Sequence, residues 1–206
     1  VFTLGLQCGI EGAYLLRAQG APAYAGVFSA WCDLREIMPY AFGYMLAAKV
    51  GTGIVAELGA MRISDEIDAL EVMGVPPVTF LCATRLLAAW IAFPFMYLVA
   101  IGIMYLASYV AVVKQIGDAS SGGYLLIFWQ FQNPPDVIFS LIKGMVMATA
   151  IVLVGCYYGY TASGGPVGVG TATAKSMVLN IVLVHIIGML GTLVFWGANP
   201  RAPIGG

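Results

Sequence analysis

Hydrophobic positions in this chain come in long uninterrupted runs rather than in alternating or narrow amphipathic periods. Residues 86–113 carry no charged side chain. As a helix rising about 1.5 Å per residue, they exceed the roughly 30 Å of a bilayer's hydrocarbon. Residues 176–198 likewise contain no Asp, Glu, Lys or Arg, 136–160 are interrupted inside only by Lys143, and 24–49 by Asp33, Arg35 and Glu36. Residues 1–16, with Glu11 among them, read as the trailing half of a further run. The pattern predicts an all-α polytopic membrane protein with five spans, at about 1–16, 24–49, 79–113, 136–160 and 176–198, in one transmembrane domain covering 1–206. The first span is expected to be cut short, since the chain begins at Val1 rather than Met.

The connections are then 17–23, an acidic segment after 49, a long loop at 114–135, a second loop at 161–175, and a tail from 199. Alternate connections lie on opposite sides of a membrane. The side of the acidic segment holds Lys49, Arg62, Arg85 and Lys175, against Arg17, Lys114 and Arg201. The positive-inside rule places the acidic segment in the cytoplasm. On the outer side, "YLLIFWQFQNPPD" gathers Tyr124, Phe128, Trp129 and Phe131. Such rings favour the membrane interface, which predicts a short interfacial helix ended by Pro134 and Pro135.

Half of the ten acidic residues lie in "VGTGIVAELGAMRISDEIDALEVMGVPP", residues 50–77. From Ser64 this reads as a short helix, with Ser64 as N-cap, Asp65 and Glu66 at the positive end of the dipole, Gly74 at the C′ position, and Pro76 and Pro77 forbidding continuation. Ile63, Ile67, Leu70 and Gly74 form a narrow apolar stripe. Asp65, Glu66, Asp68 and Glu71 flank it, and Glu57 precedes it, with Arg62 the one base among them. A solvated helix would explain the charge alone. The added stripe, together with nearly single-signed charge, suits a partner's groove lined by Lys and Arg.

Composition supports the membrane reading. The chain is 61% hydrophobic and 9% charged, with a mean hydropathy of +0.92 and a net charge of −1, whereas soluble domains are about half apolar and about a quarter charged. No polybasic arm points to nucleic acid. Cys8, Cys32, Cys82 and Cys156 form no CxxC pair, so they read as small buried hydrophobes and no metal site is expected. Two nucleotide-like motifs fail. Gly51, Gly53 and Ala56 fit a loose dinucleotide fingerprint but no strand precedes them, and "GGPVGVGTATAKS" has Val169 and Ala174 where a phosphate-binding loop needs glycine. The chain therefore carries no ATPase site and no catalytic residue. If transport is ATP-driven, the ATPase is another polypeptide.

A charge facing lipid near the bilayer centre costs at least ~2.5 kcal/mol, so Glu11, Asp33, Arg35, Glu36 and Lys143 are expected to face protein or water and to pair. One reading makes them a structural ion network. The other sets Arg35 and Glu36 at a cavity mouth, with Pro39 bending the helix beside them and Arg35 holding a lipid phosphate or carboxylate bidentately. His185 reads as a satisfied helix-packing donor without further role, Gly188 and Gly191 as sites of close helix contact, and Tyr157, Tyr158 and Tyr160 as part of an interfacial belt.

"LREIMP", "AELGAMRISDEIDALEVMGVPP" and "YYGYTASGGPVGVGTATAKSMV", in this order and spacing, resemble the MlaE/YrbE permeases, membrane subunits of ABC transporters that move lipids with Mce-domain proteins. The resemblance runs from Val1 to about Trp196. It implies a coupling helix at 54–74 docking on a cytoplasmic ABC ATPase dimer, which holds the ATP and Mg²⁺, so that no cofactor resides in this chain. It also implies a second permease of the same type, a heterodimer in the actinobacterial arrangement, with a lipid cavity between the two, Mce proteins outside, import as the direction, and a bacterial plasma (inner) membrane as the location. The alternatives are a proton- or ion-coupled secondary transporter using Asp33, Glu36, Lys143 or His185 as relay, and a scaffold that transports nothing.

Overall fold

The computed structural model describes residues 1–198, and among them it contains helices and short connections but no strand. The helices are α1 (Phe2–Ala18), α2 (Pro22–Ile63), α3 (Glu66–Val72), α4 (Pro77–Ile116), α5 (Ser121–Gln130), α6 (Pro134–Tyr160) and α7 (Gly165–Trp196). Of these, α2, α4, α6 and α7 are long and apolar enough to cross a membrane. At 17 residues, α1 reaches about 25 Å, less than a full span. Arg201 and the tail from 199 lie outside the described residues.

Three boundaries differ from the sequence expectation. First, α7 begins at Gly165 rather than near 176. The Gly- and Thr-rich stretch that reads as a loop has Pro166 in its first turn, where a missing N–H costs nothing, and the turn before it is confined to residues around Gly164, at φ +87°. Second, α5 ends at Gln130 before reaching Pro134, and Pro134 and Pro135 instead open α6. Third, the short acidic helix is not capped by Ser64. Ser64 closes α2, its N–H and Oγ both donating to Ala60 O at 3.0 Å, and Asp65 forms the joint at φ 58°, a left-handed conformation that Asp tolerates better than most residues. The other end of α3 is as expected. Gly74, at φ +78°, sits at C′, with Gly74 N–H bonded to Glu71 O at 2.9 Å and Val75 N–H to Leu70 O at 3.1 Å, the paired bonds of a Schellman motif.

The chain forms two compact units. The first comprises Val1–Phe42, Met96–Gly144 and the chain from Gly188. In it α1 lies against α4 through Gly5 and Gly9, a Gly-x-x-x-Gly pair whose missing side chains permit close approach. A Cβ on Gly9 would stand 2.9 Å from both Ala111 Cβ and Ser108 O. Beside this seam Tyr124, Phe128 and Phe131 pack on Ala13, Ala25, Ala30 and Val112. Burial pushes the Tyr124 phenol, on α5, up to about 12.

The second unit comprises Gly43–Phe95 and Met145–Ile187. Here the end of α2 meets α6 and α7 at glycines. A Cβ on Gly159 would stand 2.7 Å from Leu58 Cβ, and one on Gly59 would stand 2.7 Å from Val169 Cγ1. His185 bonds Tyr44 Oη and Ile181 O, each at 2.9 Å, the satisfied packing role expected of it.

The α1–α4 seam yields a measurable outcome. Gly9→Val forces backbone to move and is expected to cost about 1–3 kcal/mol, seen as a lower thermal midpoint of the purified protein in detergent. Gly102→Ala, where nothing lies within 4 Å, leaves the midpoint unchanged or slightly raised. Equal midpoints for the two variants would contradict the close packing of α1 on α4.

Candidate functional site

The site lies in the first unit and starts from an irregularity in α2. Over Ser29–Ile37, "SAWCDLREI", the helix winds in π geometry, with Met38 N–H reaching back to Asp33 O. Such stretches are rare and concentrate at functional positions. The residue after Met38, Pro39, has no N–H to return to Leu34 O or Arg35 O, and in a bilayer no water supplies a donor. The donors come from α6. Ser140 Oγ donates to Leu34 O, and Lys143 Nζ donates to Arg35 O at 3.0 Å. Asp136, Ser140 and Lys143 recur at i, i+4 and i+7, one stripe of α6, and all three are buried.

Arg35 answers the first member of that stripe. Its Nε and Nη2 donate to Asp136 Oδ2 at 3.1 and 2.6 Å, while Trp196 Nε1 donates to Asp136 Oδ1 at 2.9 Å. The guanidinium carbon stands 4.4 Å from the Trp31 ring centre and 5.4 Å from that of Trp196, and weakly hydrated Arg tolerates this aromatic stacking. Trp31 is itself held by its Nε1 donating to Phe131 O at 2.9 Å. Lys143 Nζ spends its remaining N–H groups on Glu36 Oε2 at 3.1 Å and Thr192 Oγ1 at 2.7 Å, and Thr192 Oγ1 donates to Glu36 Oε1 at 2.7 Å. The two cations and two carboxylates cancel in pairs.

Above these pairs opens a cleft of about 630 Å³. Its wall is apolar and aromatic, including Leu15, Leu16, Val27, Phe28, Trp31 and Trp196, with Arg35, Glu36 and Thr192 among the few polar contributors. The size is within the range of small-molecule and lipid sites. The charged groups face it unequally, because the Arg35 side chain is 9% exposed, that of Lys143 0%, and that of Glu36 37%.

The intramembrane residues singled out from sequence therefore separate. Arg35, Glu36 and Lys143 come together, with Arg35 committed to Asp136 and Lys143 to Glu36. The carboxylate of Asp33 meets Ser108 Oγ, which also lies 2.9 Å from Gly5 O, and forms no part of the ion pairs. Glu11 accepts from Gln7 Nε2 at 3.0 Å on the exposed side of α1 and joins no network. Sequence reasoning missed Asp136, Ser140, Trp31, Thr192 and Trp196. The i, i+4, i+7 polar spacing on α6 was a signal for the first two. The tryptophans had none, being remote from each other along the chain.

The acidic residues of α3 and its approach are in the second unit. Asp65, Glu66, Asp68 and Glu71 are exposed. Arg62 pairs with Asp68 at 2.6 Å, and Arg85 with Glu57 at 3.2 Å. The apolar stripe does not offer itself whole. Ile67 is fully buried and anchors α3 to its own chain, Leu70 is half-buried, Ile63 is exposed, and beyond the stripe Val72 and Met73 are exposed at the tip. A helix this short buries its best anchor to stay in place.

Comparison with known proteins supplies the rest. A family model described as permease MlaE matches residues 1–194. The chain is 34% identical over 162 residues to a probable ABC transporter permease protein of Rickettsia prowazekii (strain Madrid E), covering 79% of this chain and 62% of that protein. It is 30% identical over 170 residues to protein TRIGALACTOSYLDIACYLGLYCEROL 1, chloroplastic, of Arabidopsis thaliana, covering 80% and 47%. A probable ABC transporter permease protein of Synechocystis sp. is 27% identical over 82% of this chain and 64% of its own. The chain thus spans less than two thirds of the length of these relatives. With α1 to α6 and nearly all of α7 inside the matched residues, this all-α multi-pass membrane protein belongs to the MlaE permease family.

Proposed function

We propose that the chain is the membrane subunit of an ATP-driven lipid transporter, with the cleft beside α2 receiving the hydrocarbon of the lipid. The observation that carries this is the combination of about 630 Å³ of apolar space with charges that cancel at its base. An acyl chain gains from such a wall about 25 cal/mol for each Å² removed from water, and meets no unpaired charge. The Rickettsia and Synechocystis relatives are named as ABC permeases and the Arabidopsis one after a galactosyl-diacylglycerol, which agrees with this reading.

In the same reading the end of α2 and α3, residues 54–74, couple the permease to a cytoplasmic ATPase dimer, which binds the ATP and Mg²⁺. The exposed Asp65, Glu66, Asp68 and Glu71, with Val72 and Met73 at the tip, fit a groove lined by Lys and Arg. A second permease of the same family, in a heterodimer, and Mce-domain proteins outside complete the assembly in a bacterial plasma membrane, with import as its direction. Ion-coupled transport is the weaker reading. Lys143 already has three acceptors and His185 two partners, so neither is poised to pass protons along.

Changing Asp65, Glu66 and Glu71 to Lys together is expected to abolish copurification of the ATPase with the tagged permease while the other membrane partners remain. Mass spectrometry of the purified complex reads this directly, and retention of the ATPase would refute the coupling role. Arg35 gives a second outcome. Arg35→Met leaves Asp136 buried without its cation, a loss of about 3–5 kcal/mol, whereas Arg35→Met with Asp136→Leu removes both charges. The single variant is expected to accumulate poorly in membranes and the double variant to recover. A well-assembled single variant that fails only in transport would instead make Arg35 a lipid-binding residue.

A further inference from the structure

The cleft also carries information about the polar end of its ligand. Each strongly donating side chain at the cleft already has a partner. Arg35 donates to Asp136 and lies against two indoles, and the three N–H groups of Lys143 go to Arg35 O, Glu36 and Thr192. Trp31 and Trp196 donate to Phe131 O and Asp136, and the Thr192 hydroxyl is shared between Glu36 and Gly188 O. The other donors on the wall are the Tyr24 phenol and the Cys32 thiol, both neutral.

Acceptor capacity, by contrast, is open. Glu36 lines the cleft and is the one charged group of the four with substantial exposure, 37% of its side chain. Its carboxylate has about four lone-pair directions, and the bonds from Lys143 and Thr192 take two. A phosphate or carboxylate headgroup entering here would put a second negative charge beside Glu36, while the cation among the described residues of the wall, Arg35, is already paired with Asp136, and like charges at close range are unfavourable. A hydroxyl would find an ionised acceptor, which makes a stronger hydrogen bond than a neutral one.

Building on the reading of the cleft as a hydrocarbon site, we propose that it selects an uncharged amphiphile, a long-chain alcohol or acylglycerol, whose hydroxyl donates to Glu36. Glu36 is then the residue that sets headgroup specificity, and Arg35 and Lys143 hold it in place without touching the ligand.

Bromine on an acyl chain quenches tryptophan, and Trp31 and Trp196 line the cleft. The other two tryptophans, Trp90 and Trp129, are 58% and 68% exposed and would be removed as Trp90→Phe and Trp129→Phe. The full-length transporter in nanodiscs is titrated, at neutral pH, with a monoacylglycerol and a lysophosphatidic acid bearing the same dibrominated chain. The monoacylglycerol is expected to bind on the order of tenfold more tightly, and Glu36→Gln to shrink that preference to within about threefold. If Glu36→Gln fails to fold because Lys143 loses its partner, Glu36→Gln with Lys143→Met serves in its place. Equal quenching of the native protein by both probes overturns the headgroup inference and leaves the hydrocarbon site standing. A preference unchanged by the variants overturns the role of Glu36, and no quenching by either probe overturns the hydrocarbon site itself.

Discussion

Inside a bilayer, a backbone carbonyl released from its helix has to find a donor from protein, and much of the first unit is arranged around two such carbonyls. Pro39, at the end of the π-wound turns of α2, has no N–H for Leu34 O or Arg35 O, and α6 answers with Ser140 and Lys143. A cation brought in to satisfy a carbonyl needs its own counter-charge, hence Glu36. Glu36 in turn takes a hydroxyl from Thr192, which ties α7 to the same point. The Arg35–Asp136 pair repeats the logic one step along α6, with two indoles in place of water. Removing any member leaves another polar group buried and alone, which is more costly than the bond was worth.

The cleft follows from this economy. The space beside α2 is bounded mostly by aliphatic and aromatic side chains because, Glu36 apart, the strongly polar groups nearby are buried and serve one another. The same inward turn explains why Arg35, from its residue type and position a natural phosphate ligand, is unsuited to that work here. Its Nε and Nη2 are committed to Asp136, and two indoles lie against its guanidinium.

Long charge-free runs were enough to read the four helices that can cross a membrane, since 20 or so apolar residues have few other uses. Local chemistry was readable where one residue decides it. Gly74 takes a conformation other residues resist, and Tyr124, Phe128 and Trp129 do lie on a short helix, α5. Legibility failed where tertiary context outweighs composition. The Gly- and Thr-rich start of α7 reads as loop, yet it is helical and its small side chains admit close neighbours such as Gly59 beside Val169. Asp136 marks only the start of a charge-poor run in the sequence and is in fact the partner of Arg35. Ile67 reads as a docking surface and is an internal anchor. Neither the π winding of α2 nor the meeting of Trp31 with Trp196 leaves a local mark, because both arise from contacts between distant parts of the chain.

The pairing of charges at the base of the cleft has an electrical consequence. A living membrane holds a potential, and carrying one unpaired elementary charge through it takes about 2.3 kcal/mol for every 100 mV. Arg35 with Asp136 and Lys143 with Glu36 sum to zero, so helices that shift together with this cluster move dipoles and no net charge. A rearrangement of the cleft would do almost no work against the field, and its energy cost would be nearly the same in a resting cell as in a fully energised one.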